Sequence, residues 1–287
     1  MIINFILSYY LNILNFYPNY MILQFQQLLI ILLFLTSCDT GKLTVIADLP
    51  INLKEISAAE TLPNSDLIWV IEDKGNKNNI YGINARGKII KDIDVSNASN
   101  IDWEDLTSDR LGNLYIGDFG NNSKNRDDFT IYKVANLQDD NATAEQINFT
   151  LPKDMKSEDF EGFFIMNGYF YIFSKENKTS KLIKVPNQIG KHTAKLVSYF
   201  NLDGKHHKIT SADISDDGKT IVLLKHDKLW KISNFKGDHF FEGTIVELKF
   251  DHNSQKEGIC FVNNSTVYIT DERSHGKGGN LYEFKID

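Results

Sequence analysis

Five tetrapeptides of one pattern recur along the chain, and a chain written as one repeated unit has few folds open to it. They are Ile80-Tyr-Gly-Ile83, Ile131-Tyr-Lys-Val134, Leu182-Ile-Lys-Val185, Leu229-Trp-Lys-Ile232 and Leu281-Tyr-Glu-Phe284, spaced 51, 51, 47 and 52 residues apart. Each follows a second β-rich run: Leu67-Ile-Trp-Val-Ile71, Leu114-Tyr-Ile116, Tyr169-Phe-Tyr-Ile-Phe173, Thr220-Ile-Val-Leu-Leu224 and Thr266-Val-Tyr-Ile-Thr270. Another short run precedes each pair, and one more follows the first four. Short β-branched and aromatic runs between Gly, Asn and Asp clusters read as strands. A four-stranded unit of about 40–50 residues is the mark of a β-propeller blade. The expected fold is therefore all-β, a propeller of four-stranded antiparallel blades. Five blades are favoured, with six as the alternative, because residues 135–157 and 233–254 are long enough to hold a further strand. The fifth unit stops at Asp287 after three strands, while Lys42-Leu-Thr-Val-Ile-Ala47 stands alone before the first. This N-terminal strand is expected to close the last blade, which removes an exposed sheet edge.

Lys and Arg number 31 against 38 Asp and Glu, a formal charge of −7. That field repels a phosphate backbone, so nucleic acid is not an expected partner. The charge is absent from one place. Residues 1–41 carry a single charged side chain, Asp39, and include the apolar run Leu28-Leu-Ile-Ile-Leu-Leu-Phe-Leu35, followed by Thr36-Ser37-Cys38. The run has signal-peptide length and is too short to cross a hydrocarbon core. Leu35-Thr-Ser-Cys38 resembles the bacterial lipobox, which implies cleavage before Cys38, lipidation of that cysteine and attachment to a membrane. Residues 1–37 are then a signal peptide, with Met21 an alternative start, 38–41 a tether and 42–287 a single propeller domain. No Lys or Arg precedes the apolar run, which departs from the usual signal peptide. The remaining thiol, Cys260, sits in an apolar strand and is expected to be buried and inert.

Aligning the first strands on Ala59, Leu106, Phe163, Ile214 and Ile259 puts Ser57, Glu104, Glu161, Ala212 and Glu257 at one position. Two residues earlier stand Glu55, Asp102, Asp159, Thr210 and Gln255, on the same side of a strand of period two. The second strands return to the same face and end in Glu72, Asp118, Ser174, Lys225 and Asp271. Carboxylates thus gather at one mouth of the central channel. Crowded there, they must bind a cation, pair with a base or hold a proton. A hard metal such as Ca²⁺ takes oxygen ligands, and Glu104, Asp118, Glu161, Glu257 and Asp271 are the candidates. Lys175 and Lys225 are placed to neutralise the acids internally or to touch a ligand. Glu104, Glu161 and Glu257 are the candidates for acid/base work. A plainer use of such acids is to cap loop amides.

Two long loops open on the same face, Gly117–Asp128 and Asp271–Gly279. Asn121, Asn122, Arg126, Arg273 and His275 in them are candidate ligand contacts, the two arginines suiting an anion, although Asn, Gly and Asp also serve the turns themselves. His206-His207 lacks a third ligand at a recognisable spacing, and no GxSxG, Walker or HExxH pattern occurs.

Ile101-Asp-Trp-Glu-Asp-Leu106, then Leu114-Tyr-Ile-Gly-Asp-Phe-Gly-Asn-Asn122 and Arg126, resemble the best-marked stretch of a family of bacterial envelope propellers of largely unassigned activity. Lys54-Glu-Ile-Ser57, Phe173-Ser-Lys175, Thr210-Ser-Ala-Asp213 and Lys256-Glu-Gly-Ile259 agree with it. More distantly the chain is similar to TolB-like, gluconolactonase-like and esterase-like phytase propellers, some of which hold calcium in the channel. The Glu-Asn-Asn-Asp metal set of the gluconolactonases is not reproduced. Five-bladed glycosidases use three channel carboxylates, an analogy for Glu104, Glu161 and Glu257. The expectation is a monomeric, lipid-anchored envelope propeller that binds a small-molecule or polysaccharide ligand at its acidic mouth, through Ca²⁺. Two alternatives stand beside it: a metal-dependent hydrolase of a lactone, phosphoester or glycoside, and a protein-interaction scaffold.

Overall fold

The computed structural model describes residues 40–202, 208–274 and 277–287. The expected signal segment 1–37, Cys38, His206-His207 and His275 fall outside the described residues. Five sheets follow one another along the chain. Blade 1 runs β2 (Ile56–Thr61), β3 (Ile68–Glu72), β4 (Asn79–Ile83) and β5 (Ile89–Val95). Blade 2 holds β6 (Trp103–Ser108), β7 (Leu114–Asp118), β8 (Asp128–Val134) and β10 (Glu145–Thr150). Blade 3 is β11 (Phe160–Met166), β12 (Tyr169–Ser174), β13 (Ser180–Pro186) and β15 (Lys195–Phe200). Blade 4 is β16 (Ser211–Ile214), β17 (Thr220–Lys225), β18 (Lys228–Ser233) and β19 (Thr244–Lys249). Blade 5 is β20 (Lys256–Asn263), β21 (Thr266–Asp271) and β22 (Asn280–Lys285), completed by β1 (Thr44–Asp48) antiparallel to β22. The innermost strands pack in the order β2, β6, β11, β16, β20 and back to β2, so the ring is closed. There are five blades, not six. Residues 135–157 supply β10, the outer strand of blade 2, and 233–254 supply β19 after one 3₁₀ turn, Phe240–Glu242.

Two blades exceed the expected four strands. β9 (Asn141–Ala142) runs parallel to β5 and β14 (Gly190–Thr193) parallel to β10, each borrowed from the following blade's chain. They cover two outer edges that would otherwise be open to pairing.

The repeat exists because every blade is apolar on both faces. Along β3, Trp69 and Ile71 pack against blade 2, whereas Ile68 and Val70 pack against blade 5. The period of two sends alternate residues to opposite neighbours. Among the described residues the core divides into five clusters, one at each blade junction. The junction of blades 3 and 4 is aromatic, with Phe164 against Phe240 at 5.6 Å and Phe200 stacked on Phe241 at 4.4 Å. Cys260 is fully buried between blades 5 and 1, and burial pushes its thiol well above the usual range.

At the axis the strands leave little room. A Cβ on Gly162 would stand 2.7 Å from the Ser211 carbonyl carbon, so blades 3 and 4 can approach only because that residue is glycine. Asp105 crosses this space. Its carboxylate accepts from Phe163 N at 3.0 Å, Ala212 N at 3.2 Å and Ser211 Oγ at 2.9 Å, joining blade 2 to blades 3 and 4. Ser211 Oγ in turn accepts from Ile259 N of blade 5 at 3.1 Å. The axis is filled rather than open, and it separates two mouths.

Replacing this acceptor by an apolar side chain strands three donors, each costing about 1–3 kcal/mol. Asp105→Leu is expected to lower unfolding free energy in urea by at least about 3 kcal/mol; a loss below about 1 kcal/mol would show that the cross-ring bonds do not hold the blades.

Candidate functional site

The inner strands enter the ring with a defect that sets the site. β2, β6, β11 and β20 each carry one extra residue relative to their partners, between Ile56 and Ala58, Trp103 and Asp105, Phe160 and Gly162, and Lys256 and Gly258. The bulged residues are Ser57, Glu104, Glu161 and Glu257. A bulge re-aims a side chain, which is why Glu104 and Asp105, adjacent in sequence, are both buried at the axis. Blade 4 corrects the sequence alignment. Leu223, the partner of Trp230 in the repeated tetrapeptide, pairs with Ala212 and not Ile214. Thr210 rather than Ala212 therefore matches Glu104, and Lys208 rather than Thr210 matches Asp102. Blade 4 still contributes no acid to this ring.

Glu104 and Glu161 meet. Their carboxyl oxygens lie within 4.8 Å of each other, and each is almost fully buried. Burial first, then the charge of Glu161, holds the Glu104 carboxyl well above its usual range. Burial also pushes Glu161 up to about 8, in spite of Lys175, whose Nζ stands 2.8 Å from Glu161 Oε1. Burial works against the charge on Lys175, but Glu161, Glu257 and Glu104 outweigh it and hold the ammonium well above its ordinary range. The mouth thus carries two buried carboxyls held above their ordinary range beside a lysine held in its charged form.

Around this pair lie two groups of three carboxylates whose ligand atoms fall within 4.8 Å of one another: Asp73, Asp102 and Glu104, and Glu104, Asp159 and Glu161. Glu104 belongs to both. Lys74 Nζ is 2.8 Å from Asp102 Oδ1. Burial pushes Asp73 up to about 6. The approach of the long loop of blade 2 is as close as backbone allows: a Cβ on Gly120 would stand 1.9 Å from Glu104 Oε1. With its nitrogen toward Asp159, the Asn122 amide reaches Asp159 Oδ2 at 3.2 Å and accepts from Lys74 Nζ at 3.2 Å.

Other residues singled out from the sequence are engaged in the walls. Asp118 Oδ1 pairs with Arg126 at 2.9 Å and accepts from Asp102 N at 3.2 Å. Arg126 also donates to Gly120 O at 2.8 Å and Asp118 O at 3.1 Å, fastening the loop. Asn121 is buried and bonds within the same loop and to Ser157 Oγ at 2.8 Å. Asp271 accepts from Asn280 N at 2.8 Å and Tyr282 OH at 2.9 Å. Arg273 donates to Leu49 O at 2.8 Å and pairs with Asp48 at 2.5 Å. Asp118 and Asp271 belong to neither carboxylate group. Lys225 stands 3.4 Å from Asp227 Oδ1, and Glu257 Oε1 is 3.0 Å from His226 Nε2. Asp73, Lys74 and His226 were not singled out from the sequence. They lie just past second strands, in connections whose composition differs from blade to blade.

No protein-family model matches the chain, and no curated protein matches it in sequence. Solved structures do. The PQQ-bound aldose sugar dehydrogenase of Streptomyces coelicolor superposes over 86% of this chain and 99% of its own, with a TM-score of 0.52 and 10% identity. The Myxococcus xanthus glutaminyl cyclase does so over 85% and 97%, with a TM-score of 0.54 and 12% identity. A gluconolactonase from Xanthomonas campestris covers 86% and 91% at a TM-score of 0.49 and 7% identity. The first two support a distant likeness to other propellers; identities this low show the fold alone.

The raised carboxyls have a consequence for stability. Glu104, Glu161 and Asp73 hold protons in the fold at pH values where the unfolded chain has released them. Native protein therefore binds more protons than unfolded protein from about pH 4.5 up to about 8, and stability falls as pH rises through that window. In chelator, the melting temperature is expected to be higher at pH 5 than at pH 8; a flat or rising profile contradicts the protonated pair.

Proposed function

We propose that this chain binds a divalent cation of the calcium class at the acidic mouth and uses it to hold a polar ligand, as a lipid-anchored propeller of the bacterial envelope. The observation that carries the reading is the pair of carboxylate groups sharing Glu104. Their donors are hard oxygens, which suit Ca²⁺, and burial holds the Glu104 carboxyl well above its usual range. Glu104, Asp159 and Glu161, or Asp73, Asp102 and Glu104, would hold the ion. A bound cation would supply the positive charge that lets Glu104 ionise and would offer its open positions to ligand oxygens. Lys74 and Asn122, at the rim, are placed to meet the same ligand. The envelope location rests on Leu35-Thr-Ser-Cys38 alone.

Calorimetric titration of the purified protein with Ca²⁺ is expected to show binding, with a melting temperature raised by about 5–10 °C at roughly a hundredfold excess over Kd. Glu104→Gln, isosteric with the protonated carboxyl, should fold and abolish both effects, while Glu257→Gln weakens them less. Absence of binding in the parent protein would leave the scaffold reading.

A second reading, a hydrolase, is favoured by the raised carboxyls of Asp73 and Glu161, since groups poised near neutral pH are suited to acid/base work. Its glycosidase form needs working carboxyls about 5–9.5 Å apart, and the contact between Glu104 and Glu161 sets that pair aside. Turnover of lactone or phosphoester panels in the presence of Ca²⁺ that is lost in Glu161→Gln would establish this reading; background rates throughout would remove it.

A further inference from the structure

Of the four residues of the expected tether, the last two are built into the wall of the ring. Thr40 and Leu43 close a turn, Leu43 N donating to Thr40 O at 3.1 Å and Thr40 Oγ1 to Leu43 O at 2.9 Å. The turn is fastened to blade 4. Lys42 N donates to Phe250 O at 2.7 Å, and Lys42 Nζ pairs with Asp251 at 3.0 Å. A Cβ on Gly41, whose φ is +60°, would stand 2.2 Å from Phe250 O, so only glycine lets the turn lie this close. Leu43 is 4% exposed and belongs to the core cluster of Phe250 and Tyr282, at the junction of blades 4 and 5. The point at which the chain joins the propeller is therefore fixed on the outer wall between those two blades. A groove of about 710 Å³ opens there, lined by Lys42, Thr44, the end of β19 and the end of β22. It shares no residue with the acids of the first mouth or with the funnel around Glu60 and Asp213 at the second.

Chain length decides what this wall meets. Cys38 lies two residues before Thr40, and extended chain spans at most about 3.3–3.6 Å per residue, so a lipid borne by Cys38 leaves the chain within about 7 Å of the turn. A tether that short does not let the body turn freely above a membrane; the wall that carries Thr40 has to face it. That wall is suited to the contact. The two outermost strands beside the groove, β1 and β19, expose Val45, Ile245 and Val246 by 44%, 38% and 42%. Three lysines and three acids line the groove, so it carries no field of one sign. Two of these charges pair, Lys249 with Glu247 at 3.5 Å. We propose that the outer wall at the junction of blades 4 and 5, with β1 and β19 foremost, rests on a lipid bilayer and is held there by the tether. The ring then stands on its rim, and both mouths open sideways into the aqueous space. This rests on the lipid-anchored reading above and adds to it the contact surface and the direction of the first mouth, which takes its ligand from solution and not from the lipid.

The test is fluorescence quenching on the full chain, expressed in a bacterium, extracted from its membranes and reconstituted in phosphatidylcholine vesicles, a fraction of whose headgroups carries a nitroxide quencher. One fluorophore at a time is attached through Val246→Cys on the wall, Ile101→Cys before β6 at the first mouth, or Leu111→Cys in the turn at the second. Ile101 and Leu111 are 57% and 88% exposed, and the native thiol of Cys260 is buried away from the label. Loss of emission at 246, with none at 101 or 111, is expected. Inserting about twenty Gly and Ser residues after Asp39 adds a flexible reach of about 25 Å and should restore the emission at 246. Emission kept at 246 in the parent chain, quenching at 101 or 111, or quenching at 246 that the spacer leaves unchanged overturns the orientation while the anchor stands. A parent protein whose Cys38 carries no acyl chain by mass spectrometry overturns the lipid-anchored reading, and this inference with it.

Discussion

A sheet that is apolar on both faces cannot stand alone in water, and each blade of this protein is such a sheet. Trp69 and Ile71 need blade 2, while Ile68 and Val70 need blade 5. Burial of a side chain of this size is worth about 1.5–3 kcal/mol, and it is realised only when neighbours are present on both sides. The requirement is satisfied for every blade at once only if the row of sheets returns on itself. β1, pairing with β22 from the other end of the chain, is the stitch that holds it closed.

Closure on five blades brings the inner strands close at the axis, and the chemistry follows from that crowding. Small residues, Gly162, Ala212 and Gly258 among them, stand where blades approach. Polar groups caught there must satisfy one another, as Asp105, Ser211 and the backbone of Phe163, Ala212 and Ile259 do. Since the axis is filled, the molecule has two mouths in place of one channel. Bulges at the strand entries turn Glu104, Glu161 and Glu257 into the first mouth, where burial raises the carboxyls of Glu104 and Glu161 above their ordinary range. The strand ends turn Glu60 and Asp213 into the second.

Much of this was legible in the repeat. The tetrapeptides mark the third strands because those positions face both neighbours, and the lone N-terminal strand signalled the closure. The alignment also brought Glu104 and Glu161 to one level. It slipped in blade 4, where Ala212 is as small as its counterpart Ala59 of blade 1 and Ile214 offered a more conspicuous apolar match. β9 and β14 were hidden because Asn-Ala and Gly-Lys-His-Thr carry no strand pattern; they pair through backbone alone. The site was read less fully than the fold. Period-two reasoning keeps Glu104 and Asp105 on opposite sides, and the bulge cancels it. Asp118, Asp271, Arg126 and Arg273 have the composition of ligands, but the first three are held within their own blades and Arg273 by Asp48 and Leu49 O of the closing N-terminal segment. Asp73 and Lys74 follow their second strand as Glu272 and Arg273 do in blade 5, but the sequence alignment stopped at the strand ends and did not reach them.

Glu104, the buried carboxyl common to both carboxylate groups, is the residue on which the proposed cation site turns. A crystal structure of the protein soaked in Ca²⁺, with anomalous differences recorded, tests it directly. The expected result is a peak within coordination distance, about 2.3–2.6 Å, of oxygens from Glu104 and from Asp159 with Glu161 or Asp73 with Asp102. A peak confined to exposed carboxylates elsewhere, or none at saturating Ca²⁺, would contradict it.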